Sequence, residues 1–386
     1  MAEEKEKKTV LSQEIKKGLD DIVNKSMKDA DTQFTETCNV GFDLALTNGK
    51  GLPRGTSVLF YADPACGKTT LLADVSKRLI QVTQGTEEPF KVLYIASEGS
   101  KELLKKIGLG PYMESGDFIY VEKSLCWRNI ETFYEAVLQG YKNYKGVKLI
   151  IIDSINNILS DQNQVKSVAD GDFGTKARER TSFYAKYLPR CSEAGVSTFL
   201  IAPVRQKPEA GMYEVPKKAG ASFPDLHSVE IVVKCGKKQS KTETKKVVTK
   251  TVFGEVKEQK RYIMTLNSSA GGCKNRFFQG TPSEVMVVRG EGIDNTYAIR
   301  MILEANGYIK KSGGYYSIPS EDLCNLMNEA CPDLGLKAGT NYRLSAINNA
   351  VKQCIGVLID MLKNANQYKL EVSEEEVDED EDEDDE

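Results

Sequence analysis

Ala62-Asp63-Pro64-Ala65-Cys66-Gly67-Lys68-Thr69-Thr70 lies between an apolar, β-prone run and a stretch with helical patterning. A polyphosphate asks three things of a protein: converging backbone N–H groups at a helix N-terminus, a cation that reaches the terminal phosphates, and a hydroxyl beside the divalent ion. Gly67, Lys68 and Thr69 offer these in the order required, with Cys66 and Thr70 completing the turn. Such loops ordinarily open with glycine, and here Ala62 stands in that place. Asp153 closes the apolar run KLIIID about 85 residues after the lysine, where a carboxylate can hold Mg²⁺ directly or through water. Glu98 ends KVLYIASE, and a carboxylate at that edge can orient and activate an attacking water. Read alone, Asp153 also fits a strand-end cap and Glu98 a solvated surface glutamate.

These groups need a scaffold. Thr56–Tyr61, Lys91–Ala96, Phe118–Val121, Lys148–Asp153 and Ser197–Ala202 read as short apolar strands. Helical spacing marks Gly67–Gln81, Ile130–Lys142 and Lys176–Ala194 between them. Alternation of this kind predicts an α/β fold with a mostly parallel sheet flanked by helices. Val229–Leu266 reads as β-rich, interrupted by a Lys/Thr-rich connection, KKQSKTETKKVVTKT. From about Asp294 helices follow with a Gly-Gly turn, which predicts a small C-terminal α/β domain over 294–370 after a core of 35–293. Ahead of the core, Leu11, Ile15, Leu19 and Ile22 recur at helical spacing with Ser12 as N-cap. A lone amphipathic helix in 1–34 must bury its stripe on something, and a neighbouring subunit is a suitable surface.

Composition narrows the class. At 386 residues, with 40% hydrophobic and 28% charged residues, the chain suits a globular fold with a large core. No apolar run reaches the roughly 20 residues that cross a bilayer, and the charged start Met1–Lys8 lacks a secretory core, so an intracellular, cytoplasmic protein without a membrane partner is expected. Nine scattered cysteines without a CxxC pair and a single histidine, His227, give no zinc or disulfide framework. The net charge of −4 conceals an asymmetry: 13 of the 16 residues in Glu371–Glu386 are acidic, leaving the rest of the chain about +9. A basic body with a polyacidic tail suits a nucleic-acid binder that carries its own competitor; a disordered solubility tail is the plainer reading.

In order and spacing the chain resembles the RecA recombinase family, including its UvsX-like phage members, over about 35–320. The resemblance rests on the loop above, on CNVGFDLALTNGKGLPRGTSVLFY (38–61), on Asp153-Ser154, and on Gly290-Glu291-Gly292-Ile293 followed by GYIKKSGGYYSI. It implies ATP with Mg²⁺ as the cofactor, Glu98 as the catalytic glutamate, and a homo-oligomeric helical filament on single-stranded DNA that takes up homologous duplex DNA. Mediator or single-strand-binding proteins are implied as further partners, and for a phage-type member the compartment is the bacterial host's cytoplasm. The main DNA-binding loop falls on 204–222, where Arg205, Lys207, Lys217 and Lys218 can neutralise phosphates and Tyr213 offers a stacking face. Within it Gly211-Met212-Tyr213 resembles the family's wedge between base triplets, and Gly171-Asp172-Phe173 sits where a first DNA loop lies. Lys274-Asn275-Arg276 resembles the basic triplet whose cations, here Lys274 and Arg276, reach the next subunit's γ-phosphate.

Two positions depart from that pattern. The family glutamine that senses the γ-phosphate aligns with Pro203, which has no side-chain amide. The adenine-stacking tyrosine has no counterpart in Gly99–Leu109. The leading expectation is a DNA-dependent ATPase that forms filaments and promotes homologous pairing and strand exchange. A ring-forming helicase-type motor and a weakly active recombination mediator are the alternatives.

Overall fold

The computed structural model describes residues 33–62, 66–97, 101–122, 125–161, 175–203, 229–235, 246–251, 254–259, 261–268, 273–277 and 282–364. The chain divides into two units, Met1–Phe34 and Thr35–Glu386. The amphipathic segment expected in 8–30 lies outside the described residues.

Six strands run parallel: β1 (Ser57–Ala62), β2 (Lys91–Ala96), β3 (Phe118–Glu122), β4 (Val147–Asp153), β5 (Ser197–Pro203) and β6 (Val229–Cys235). Helix α1 (Val40–Thr47) precedes them, and α2 (Lys68–Thr83), α3 (Trp127–Leu138) and α4 (Thr175–Glu193) connect them. Beyond a hairpin of β7 (Lys246–Thr251) and β8 (Gly254–Gln259), an antiparallel extension follows: β9 (Arg261–Asn267), β10 (Ser283–Val288) and β11 (Gly292–Asp294). The nine-stranded sheet has the order β11-β10-β9-β6-β1-β5-β4-β2-β3.

The strands are apolar at consecutive positions because helices cover both faces. Val58 and Phe60 point into one cluster with Phe42, Leu71, Val75, Ile151 and Ile201. Leu59 and Tyr61 point into the other, with Trp127, Tyr134, Ile150, Ile152, Phe183 and Leu200. Period-two alternation thus divides each strand between two cores rather than between core and water.

C-terminal to the sheet come α5 (Asn295–Ala305), β12 (Lys310–Ser312), β13 (Tyr315–Ser317), α6 (Glu321–Ala330), β14 (Asn341–Arg343), α7 (Leu344–Gln353) and α8 (Ile355–Asn364). Ile299, Ile302, Tyr316, Leu323, Ile347 and Leu358 form a third apolar cluster there, closed by Val40 and Leu44 of α1. The expected Gly-Gly turn is a hairpin tip: Gly313 takes φ 57° and Ser312 pairs with Tyr315.

The connection expected across 237–251 is shorter than the sequence suggested, because its second half forms strand β7. The β-branched Val247-Val248-Thr249 favour the extended state over the charge-driven loop. Helix α3 begins at Trp127, earlier than expected, and ends at Leu138 ahead of Gly140, whose φ of 63° a helix does not accommodate.

A fully buried carboxylate stands in the first turn of α1. Asp43 accepts hydrogen bonds from Thr37 N at 3.1 Å and Thr37 Oγ1 at 2.7 Å, and burial pushes its pKa up to about 8 despite them. Glu36 also raises it, while Lys363 lowers it. The folded state therefore keeps a proton that the unfolded chain releases near pH 4, and stability falls as pH rises from there until the folded group ionises near pH 8. Asp43→Asn mimics the protonated form, so its stability relative to wild type is expected to improve by about 1 kcal/mol per pH unit over that window. Urea unfolding of both proteins at pH 5, 6.5 and 8 measures this; parallel pH profiles would refute it.

Candidate active site

The carboxyl ends of the parallel strands gather the chemistry. In register, Ala62 of β1 stands beside Pro203 of β5, and Ala96 of β2 beside Asp153 of β4. In open α/β sheets this is the edge where ligands bind. The loop leaving β1 passes through Cys66, which is buried, to Gly67, the N-cap of α2. Gly67 has φ 92° and ψ 17°, a left-handed conformation that glycine adopts without a Cβ penalty. A Cβ there would run into the Tyr262 hydroxyl of β9 and come within 3.1 Å of Met264 Cε. No side chain caps α2, whose first hydrogen bond runs from Leu71 N to Gly67 O at 2.9 Å. The preceding first-turn N–H groups, at Lys68, Thr69 and Thr70, have no helical carbonyl to meet and carry the positive end of the helix dipole. Asp63, Pro64 and Ala65 lie outside the described residues.

Thr69 Oγ1 donates to Asp153 Oδ2 at 2.7 Å, so the hydroxyl and carboxylate singled out from sequence are in contact. Asp153 is 1% exposed. A second donor that sequence reading missed meets the same oxygen: Tyr94 OH, from β2, at 2.7 Å. Burial, then the negative charge of Asp153, pushes the Tyr94 phenol well above its ordinary range, so it acts as a neutral donor. Its signal in the sequence was a polar-tipped aromatic inside a buried strand, which must find a partner somewhere.

Ser97 makes a third link. Its backbone N–H donates to Asp153 O at 2.7 Å, its hydroxyl donates to Ser154 O at 2.7 Å, and it accepts from Ser154 N at 2.8 Å. The Asp153–Ser154 peptide is cis. The residue before Glu98 is therefore fastened to the residues that close β4; Glu98 itself lies outside the described residues.

Two oxygens in contact, one of them anionic, form the hard ligand set that a small divalent cation takes, usually together with substrate phosphates. The turn at Gly67 leaves no room for a side chain beside the helix N-terminus, as a phosphate cradle requires. The residues present fit a nucleoside polyphosphate with its cation.

The middle of α2 is held as firmly. Arg78 Nε donates to the buried Asp74 at 2.6 Å, while its two terminal nitrogens donate to Cys38 O and Ile293 O, each at 2.9 Å. Gly292, at φ 120°, brings its backbone so close to Asp74 that a Cβ would collide with the carboxylate. Asn295 Nδ2 also donates to Cys38 O, at 2.7 Å. The 38–61 segment and the Gly290–Ile293 passage, noticed in sequence only as pattern, converge on one buried ion pair.

Lys274 is half-buried and Arg276 exposed, on the loop between β9 and β10. Asn275 between them donates to Leu46 O at 3.0 Å and bridges Val229, the first residue of β6. Val229 pairs with Val58, at the start of β1, whereas the nucleotide loop leaves from Ala62. The triplet therefore sits toward the opposite edge of the sheet, about 13 Å along the strands from the loop's origin. The expected DNA residues Gly171, Asp172, Phe173, Arg205, Lys207, Gly211, Met212, Tyr213, Lys217 and Lys218 lie outside the described residues. Among the described residues no helix is long and apolar enough to cross a membrane.

A parallel sheet with this loop and carboxylate at its carboxyl edge defines a P-loop nucleotide hydrolase. A family model described as "AAA domain" matches residues 47–181, which include Gly67–Thr70 and Asp153. Protein RecA of Ectopseudomonas oleovorans is 24% identical over 291 residues, covering 74% of this chain and 74% of its own. DNA repair protein RadA of Campylobacter jejuni is 27% identical over 279 residues, covering 71% of this chain and 52% of its own. RadA of Aquifex aeolicus is 27% identical over 161 residues, covering 41% and 31%. What the chain is similar to, in both comparisons, is the RecA-like P-loop ATPases.

Proposed function

We propose that the protein is a phage-type recombinase: an Mg²⁺-dependent ATPase that assembles on single-stranded DNA and promotes homologous pairing and strand exchange. The observation that carries this reading is the separation within one chain of the nucleotide loop from Lys274 and Arg276, toward opposite ends of the same strands. In this reading cations so placed serve the nucleotide of a neighbouring subunit. A stacked assembly supplies that neighbour.

In this reading the first-turn N–H groups of α2 and Lys68 hold the ATP phosphates, and Thr69 and Asp153 hold Mg²⁺. The cation supplies charge neutralisation at the transferring phosphoryl group. Glu98 orients water and accepts its proton, and Ser97 fixes the backbone that presents it. Lys274 and Arg276 of an adjoining subunit stabilise the charge that develops on the phosphoryl oxygens. Pro203 ends β5 beside Ala62, and in this reading nucleotide state reaches DNA through the end of that strand. The RecA and RadA similarities support a role in recombination or repair. The proposed organisation is a docking helix in 1–34, the ATPase core in 35–293, a small domain in 294–370 and an acidic tail in 371–386.

ATP turnover measured against single-stranded DNA concentration tests the proposal. Saturable stimulation of at least about tenfold supports it. A rate indifferent to DNA, or near zero, would favour the mediator alternative, for which the proline at 203 is the specific argument.

The tail follows from the same charges. Removing Glu371–Glu386 takes away 13 acidic groups and is expected to raise duplex-DNA affinity several-fold at about 50 mM salt, the gap closing by about 300 mM as screening strengthens. Fluorescence anisotropy at the two salt concentrations measures this; equal affinities at low salt would exclude a competitor role.

A further inference from the structure

Tyr94 sits on β2 with 1% of its surface exposed and donates its only hydrogen to Asp153 Oδ2 at 2.7 Å. Thr69 Oγ1 donates to that same oxygen, also at 2.7 Å. The two donors are not equivalent. Thr69 stands in the first turn of the helix that meets the nucleotide, and its hydroxyl must turn its lone pair to a cation when one binds. Tyr94 carries no such double duty, and its ring packs 5.6 Å from Phe118 and 6.2 Å from Tyr120, both on β3. Its oxygen is fixed by the packing of the sheet rather than by the ligand.

We propose that Tyr94 is a positioning residue for the divalent cation, its phenol holding the Asp153 carboxylate at the angle that faces Thr69. The inference rests on the nucleotide–cation reading of the site given above. Asp153 ends a strand of apolar residues, so an orienting donor for its carboxylate has to reach it from a neighbouring element, as the Tyr94 phenol of β2 does. With a cation bound, Thr69 would release Oδ2 to serve it, and the Tyr94 phenol would stay in place and keep the carboxylate from rotating. Outer-shell donors of this kind commonly contribute about one to two orders of magnitude to metal affinity.

The neighbouring Tyr120 provides an internal control. Its buried hydroxyl has no hydrogen-bond partner among the described residues, so Tyr120→Phe removes the same atom from the adjoining ring without touching Asp153. The experiment uses the full chain and a fluorescent ATP analogue, titrated in Mg²⁺ and in EDTA, together with a Mg²⁺ titration of turnover and a melting temperature for each variant. For Tyr94→Phe the half-saturating Mg²⁺ concentration is expected to rise about tenfold, with analogue affinity in Mg²⁺ falling in step. Affinity in EDTA should move less than about twofold, and turnover at saturating Mg²⁺ should approach wild type. Tyr120→Phe should leave all of these unchanged.

An unaltered Mg²⁺ dependence in a folded Tyr94→Phe protein would overturn the proposal. So would equal losses in Mg²⁺ and EDTA, or an equal effect from Tyr120→Phe, because each would assign the residue to packing alone. If wild type itself binds the analogue no better with Mg²⁺ than with EDTA, the nucleotide–cation reading fails, which is a separate outcome.

Discussion

Lys68→Ala and Glu98→Gln are each expected to lower DNA-stimulated ATP turnover by at least about a hundredfold, but for different reasons that binding measurements separate. Lys68 is the first residue of α2, directly after the left-handed turn at Gly67, so its ammonium adds a full charge where the helix end offers only partial ones. Removing it should weaken ground-state nucleotide binding and transition-state stabilisation together. Glu98→Gln keeps the size and polarity of the side chain and removes only the base, so nucleotide should still bind with near-normal affinity while hydrolysis stalls. That variant is expected to hold DNA longer than wild type, because the ATP-bound state no longer decays. Turnover assays paired with DNA dissociation rates test both. Substantial hydrolysis by Glu98→Gln would remove the glutamate from the mechanism and direct attention to another base at the carboxyl edge.

The second large effect is expected from one methyl group. Gly67→Ala places a Cβ on a residue with φ 92°, which costs an L-residue about 1–2 kcal/mol, and pushes it against the Tyr262 hydroxyl. The chain has two responses. If the turn keeps its shape, the cost appears as lost stability; if the turn relaxes, the first-turn N–H groups of α2 lose their aim and nucleotide affinity drops at least about tenfold. Calorimetric titration with nucleotide and thermal unfolding of the free protein together capture whichever occurs. Adding Tyr262→Phe removes the oxygen that the methyl meets but leaves the backbone cost, so recovery should be partial. Full activity in Gly67→Ala would mean that the turn does not need its left-handed geometry.

Local signals made much of the site legible. The loop at Gly67–Thr70 and Asp153 were visible because each is written within a few contiguous residues next to an apolar strand. The strand–helix alternation was visible because burial on both faces leaves uninterrupted apolar runs. Tyr94 and Ser97 were not, since their roles exist only across neighbouring strands, and register is absent from a one-dimensional pattern. The Asp74–Arg78 pair was missed for a related reason: four-residue spacing on a helix reads as an ordinary surface pair until burial shows otherwise. Asp43 stands in the first turn of α1, where an acid is ordinarily solvated, and is instead enclosed. Strand β7 was hidden by the charge around it, which described the segment's solubility more than its backbone.

The placement of Lys274 and Arg276 toward the opposite end of the strands from the phosphate loop has an arithmetic consequence for any assembly in which they act on a neighbour. Each junction completes one site, so a row of subunits has one fewer working centre than it has members. A pair would run at half the per-subunit rate of a long array, and a solitary chain would bind nucleotide yet idle. Specific activity would climb with row length and flatten after a handful of members. Fragmenting long arrays would then depress turnover in proportion to the number of new ends, with every polypeptide still intact.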